Sequence, residues 1–175
     1  TESSSEMVLM FAGNPDNNSS ELEVSVLSDG RVSATYLDQI IESQDIVSDN
    51  LWHHVAVTVD TADNLIAMYI DGSLDSGSGS EVTISSGSAV GELSTFSLAY
   101  YPESSTGSAQ YFQGNLDETR IWSAPRNVAQ ITGTMNQVLS GDEDNLSNYW
   151  NFNEDTGATI NDIGGGLAAG TLVGM

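Results

Sequence analysis

Nine consecutive residues, Trp52-His53-His54-Val55-Ala56-Val57-Thr58-Val59-Asp60, constrain this chain more than any other stretch. Val55, Val57 and Val59 recur at the two-residue period of a strand with one buried face. Trp52, His54, Ala56 and Thr58 fall on the opposite face, so both faces carry apolar residues and the segment is expected to be a central strand covered by stacked sheets. Asp71-Gly72 and Asp29-Gly30 are turn pairs that close tight hairpins, because glycine tolerates positive φ and aspartate bonds nearby backbone.

Turn residues recur at intervals suited to an all-β sandwich. The expected strands are Glu6 to Ala12, Glu21 to Leu27, Arg31 to Tyr36, Gln39 to Val47, Trp52 to Asp60, Leu65 to Asp71, Glu81 to Ile84 and Thr95 to Tyr101. Gln110 to Trp122, with a break at Gly114, and Asn148 to Asn153 complete the set. One short helix is expected from Pro125 over Asn127 to Ile131. Ser73 to Ser88, rich in Ser and Gly, reads as a crossing between strands, and residues 1–175 as a single domain without internal repeats.

Size agrees with this, since a chain of 175 residues could bury about 70% of its unfolded surface around one core. No cysteine is present, which removes disulfides and thiolate chemistry. No apolar run approaches the ~20 residues that cross a bilayer, so direct membrane insertion is not expected. The sequence starts at Thr1 without a signal peptide and reads as a piece of something longer, with neighbouring domains as partners. Asp and Glu number 25 against three arginines and no lysine, a formal charge of −22. Nucleic acid is excluded as a partner, because neutralising phosphates needs a basic surface. The carboxylates form either a solvated acidic shell or, in part, oxygen ligands for calcium. An extracellular or cell-surface setting fits both.

Taken together, Trp52-His53-His54-Val55-Ala56, Tyr69-Ile70-Asp71-Gly72, Phe112-Gln113-Gly114-Asn115-Leu116-Asp117-Glu118-Thr119-Arg120-Ile121-Trp122, Ala124-Pro125-Arg126 and Tyr149-Trp150-Asn151-Phe152-Asn153 resemble the laminin-G-like and pentraxin-type jelly rolls of the concanavalin-like superfamily. The resemblance implies two antiparallel sheets face to face, with a ligand site on rim loops or a concave sheet. It departs at the start, where no strand carrying Phe-Asp-Gly precedes Glu6, which suggests a trimmed, permuted or interrupted domain.

By the same resemblance, Asp16 and Asn17 stand where pentraxins place a calcium-binding Asp-Asn pair, Gln110 matches a ligand Gln, and the acidic loop reduces to Glu103. Calcium takes six to eight oxygens, so carbonyls and water would complete the shell; the alternative is a plain Asx turn at Asp16 and Asn17. Asp117 or Glu118 is expected to pair with Arg120, with calcium ligation as the alternative. His53 and His54 point to opposite faces and cannot share a metal; the resemblance makes His54 a core hydrogen-bonding group.

Glu21 and Glu23 share a strand face, as the paired acids of a laminarinase-type glycosidase would. No aromatic cluster flanks them, and the favoured reading is a polar face opposite Leu22, Val24 and Val26. Tyr100, Tyr101 and Tyr111 surround the expected ligand loop, where aromatic faces beside carboxylates suit sugar rings. The sequence therefore leads to a non-catalytic, calcium-dependent carbohydrate-binding module of a large surface or adhesion protein. Its rivals are a structural or protein-contact module and, behind that, a glycosidase.

Overall fold

Alternating apolar residues lay down most of the strands in the computed structural model, which describes residues 6–14, 19–37, 39–76, 81–83, 95–102, 110–154, 156–167 and 169–171. The chain falls into two units, Thr1–Gly114 and Asn115–Met175. The first holds β1 (Met7–Asn14), β2 (Ser19–Val26), β3 (Arg31–Tyr36), β4 (Gln39–Ile46), β5 (Val55–Asp60), β6 (Leu65–Ile70), β7 (Ser73–Leu74), β8 (Glu81–Thr83), β9 (Thr95–Leu98), β10 (Tyr100–Tyr101) and β11 (Gln110–Tyr111). Antiparallel pairing orders one sheet β4-β3-β2-β1-β9 and a second β5-β6-β7, with β8 also on β6. β10 and β11 pair as a separate ribbon.

The two larger sheets meet through aliphatic side chains, as an all-β jelly-roll sandwich requires. Val24, Val32, Ala34 and Ile41 from the first sheet form one buried cluster with Ile66, Met68 and Ile70 from the second. Register explains the selection: Val24 pairs with Ala34 and Ala34 with Ile41, while Val55, Val57 and Val59 pair with Ile70, Met68 and Ile66. Directly opposed residues share a face, so each ladder delivers an apolar row to the same side. Leu116 and Ile121, apolar positions of the same alternating pattern, belong to the second unit and not to this cluster.

Two hairpins follow the turn chemistry. Asp71 and Gly72 both take positive φ, 52° and 79°, between the paired Ile70 and Ser73, the requirement of a two-residue hairpin turn with right-handed strand twist. Gly30, at φ 88°, closes the β2–β3 turn by donating its N–H to the Leu27 carbonyl. A Cβ there would lie 2.8 Å from Ile46 Cγ2, so close approach as well as conformation demands glycine.

Several expectations are corrected. Trp52 to His54 lie outside the strand, and among the described residues β5 pairs with β6 alone. All six of its residues are half-buried. The Thr95 to Tyr101 segment breaks at Ala99, whose φ of 55° turns the chain out of the β9 ladder. Gln110 to Trp122 divides into β11 and a later strand, with residues 112–118 between them. β1 is internal, paired with β2 and β9.

The second unit contains β12 (Thr119–Trp122), α1 (Val128–Thr134), β13 (Leu146–Trp150), β14 (Thr159–Ile160) and β15 (Gly170–Thr171). Asn127 caps the helix, its side chain accepting from the Gln130 N–H while the Gln130 side chain accepts from the Asn127 N–H. Around β12 and β13 a polar network accompanies the buried Ile131, Tyr149 and Trp150. Arg120 donates to Glu118 at 2.6 Å and to the carbonyls of Thr134 and Gln137, its guanidinium 5.5 Å from the Tyr149 ring centre. The expected ion pair therefore forms with Glu118. Tyr149 is fully buried, donates its hydroxyl to Glu118 at 2.8 Å and accepts from the Leu139 N–H at 3.2 Å.

Tyr149→Phe keeps the ring and removes both hydrogen bonds, leaving a partly buried N–H and a carboxylate oxygen short of a donor. The expected loss is about 1–3 kcal/mol of unfolding free energy in urea titration.

Candidate functional site

The β10–β11 ribbon brings together most of the describable candidates. Register places Tyr100 opposite Tyr111 and Tyr101 opposite Gln110. Alternation separates the aromatic trio into two sets. The Tyr100 and Tyr111 rings share one face, with centres 5.2 Å apart and planes tilted by 35°, and Tyr111 is 47% exposed. Tyr101 instead meets Phe11 edge to face at 4.8 Å, and Phe11 is fully buried. Two of the three tyrosines thus form an accessible apolar surface, while the third fastens the ribbon to β1.

Asp16, Asn17 and Glu103 lie outside the described residues. Gln110 is described only through its backbone, as the partner of Tyr101. The donor chemistry of these four, two carboxylates and two amide carbonyls, suits a hard cation such as calcium. Among the described residues no group of three or more His, Cys, Asp or Glu side chains is arranged to hold a metal.

The face of the five-stranded sheet away from the aliphatic core carries a second feature. β2 sends Val24 into the core, so Glu23 and Ser25 point the other way, with Glu23 opposite Phe11 and Thr35. Glu21 shares this strand, but its side chain lies outside the description. The Ser25 hydroxyl donates to the Glu6 carboxylate. Burial, and then the charge of Glu6, push the Glu23 carboxyl up to about 7. Tyr101 is raised as well, by burial and by Glu23. Glu23 is thus a carboxyl that exchanges its proton near neutral pH beside a tyrosine; the sequence offered only its alternation, because its neighbour Glu6 comes from a different strand end.

A third cluster precedes β5. His53 sits between two carboxylates, Nδ1 2.9 Å from Asp71 Oδ2 and Nε2 3.0 Å from Asp49 Oδ1. Asp71 Oδ1 also accepts from the His54 N–H at 2.8 Å, and Asp49 Oδ1 from the Leu51 N–H at 2.9 Å. Hydrogen bonds to Asp71 and then Asp49 raise the imidazole pKa, since both ring nitrogens can donate only when protonated. It is therefore His53 whose ring is engaged by these acids, while His54 contributes its backbone N–H.

Because its folded pKa lies above the ordinary 4.5, Glu23 contributes stability in full below that value and loses it as pH rises through about 7. Melting temperature is expected to fall between pH 5 and pH 8. In Glu23→Gln, which cannot ionise, that fall is shallower; equal slopes in both proteins would show that Glu23 does not titrate in this window.

Comparison with known proteins supplies the lineage. Residues 1–132 match the family model Laminin_G_3, described as the concanavalin A-like lectin/glucanases superfamily. No curated protein matches the chain. Among solved structures, a candidate carbohydrate binding protein from Bacteroides ovatus superposes with a TM-score of 0.65 at 19% identity, over 97% of this chain and 52% of that one. An S-layer domain-containing protein from Clostridium thermocellum matches with a TM-score of 0.34 at 20% identity, over 76% of this chain and 64% of that one. This chain spans about half the length of the Bacteroides ovatus protein. With a fold of face-to-face antiparallel sheets and a family match across most of its length, the chain belongs to the concanavalin A-like lectin/glucanase superfamily.

Proposed function

We propose that this chain is a non-catalytic carbohydrate-binding module of a secreted or surface-attached protein, taking its ligand at the β10–β11 ribbon. The observation that carries the reading is the Tyr100–Tyr111 pair, a tilted aromatic surface with Tyr111 half exposed, on a lectin-type sandwich. A sugar ring has an apolar C–H face that stacks on aromatic rings, and hydroxyls that need acceptors. The name of the Bacteroides ovatus structure points the same way. No helix among the described residues is long and apolar enough to cross a membrane.

Calcium belongs to the proposal through Asp16, Asn17, Glu103 and Gln110. When bound it would neutralise local negative charge on a chain of −22 and offer coordination to ligand hydroxyls. A glycan array read with millimolar calcium and with chelator tests both parts. Binding that is lost with chelator and in Tyr111→Ala is expected. Binding indifferent to chelator removes the metal, and capture of protein partners with no glycan signal favours a protein-contact module.

One observation favours a second reading, glycoside hydrolysis: a carboxyl with pKa near neutrality beside another carboxylate, as for Glu23 and Glu6, is what a general acid needs. Incubation with soluble β-glucans is expected to release no reducing ends. Release that disappears in Glu23→Gln would establish catalysis instead.

A further inference from the structure

Leu51 and Trp52 are exposed to 72% and 66%, on a loop that is held firmly from beneath. Asn50 takes a positive φ of 68°, and Asp49 closes the bend by accepting the Leu51 N–H. Immediately after them, His53 is fixed between Asp49 and Asp71 with its side chain only 16% exposed, and Asp71 itself is tied to both N–H and carbonyl of His54. A loop so anchored does not swing its apolar tip inward. The other two tryptophans are accounted for by packing: Trp150 is buried, and Trp122 lies under the Arg126 guanidinium at 3.7 Å. Trp52 has no ring contact and its indole N–H no hydrogen bond among the described residues.

Rigid exposure of a tryptophan forgoes the burial that stabilises others, and a fixed orientation lowers the ordering cost of binding. What surrounds the ring indicates what it takes. Asp49 spends Oδ1 on Leu51 and His53, and its Oδ2 bears no hydrogen bond among the described residues. The Asn50 side chain next to it is exposed. An exposed flat ring with oxygen acceptors on its own loop complements a pyranose, with one C–H face and a rim of hydroxyl donors. Two side chains offer far less than the ~800 Å² that a stable protein partner covers on each side. The carboxylates of Asp49 and Asp71, which flank the adjacent His53, would repel anionic sugars.

We infer that Trp52 is a second carbohydrate-binding platform, separate from the tyrosine ribbon, on which a neutral hexose ring stacks against the indole and donates hydroxyl hydrogen bonds to Asp49. This rests on the carbohydrate-binding reading and adds to it a site and a ligand class. Two platforms on one module would let a single domain engage two residues or branches of a glycan, raising avidity without new contacts elsewhere.

The test compares wild type, Trp52→Ala and Tyr111→Ala on an array of neutral and acidic glycans, with thermal melts to confirm that each variant folds. Trp52 packs against no ring, so its melt should match wild type. Trp52→Ala is expected to weaken binding to neutral glycans at least about tenfold, the scale of a hot-spot truncation, and a neutral glycan should shift tryptophan emission to the blue in wild type but not in that variant. Neutral-glycan binding unchanged in Trp52→Ala and lost in Tyr111→Ala would overturn this site and leave the general reading standing. Binding confined to acidic glycans would overturn the ligand class, and no glycan binding by wild type would overturn both readings.

Discussion

With 25 carboxylates and three guanidinium groups, this protein cannot hold its acids by ion pairing, and backbone N–H groups do that work instead. Asp75, almost wholly buried, accepts from the N–H groups of Gln44 and Asp45 and so ties the segment after β7 to the end of β4. Asp162 accepts from Tyr149 and Leu167, Glu143 from Ser140 and Gly141, and Asp60 from Ala62 and Asp63. A carboxylate bonded to amides keeps its charge without needing a cation, and it satisfies turn amides that no ladder reaches. The acidic composition is thus a structural device as well as a surface property. The bend beneath Trp52 is closed by acids of this kind, Asp49 and Asp71.

Alternation made the sandwich legible. Arg31 to Tyr36 forms β3 over that whole span, because every second residue meets the core and Gly30 fixes its start. The apolar rows of β5 and β6 were equally plain, since Val55, Val57 and Val59 meet Ile70, Met68 and Ile66 in one unbroken register. Local signals also located the helix, whose Asn127 and Gln130 form a reciprocal cap. Periodicity reports how many faces of a strand are apolar, however, and says nothing about what lies beyond its hydrogen-bonding edge. β5 was for that reason read as central when it has a single neighbour among the described residues.

The candidate site was less legible, for a related reason. Adjacent tyrosines look like one cluster in a sequence, but a strand sends neighbours to opposite sides, and Tyr101 went to Phe11 while Tyr100 met Tyr111. Glu23 owes its raised pKa first to burial and then to Glu6, 17 positions away and brought near by pairing of β1 with β2. Trp52 looked like part of a buried strand because it sits one alternation step before His54; the Asp49 bend and the His53 bridge lift it out. For Tyr101 and Glu23 the deciding contact is long in sequence and short in space, whereas for Trp52 it is a local bend that periodicity does not register.

All three arginines are committed to their own chain. Arg31 lies between Asp29 and Glu42, Arg120 reaches Glu118 and two carbonyls, and Arg126 rests on Trp122 with one bond to the Gln130 carbonyl. Viewed by an approaching solute, the molecule is a polyanion of a single sign, wrapped in mobile counterions whose density follows the medium. Its chemical selectivity toward charge is therefore set before any particular contact forms: uncharged molecules reach the surface freely, cations are gathered there, and anions must cross a field that no side chain is left over to cancel.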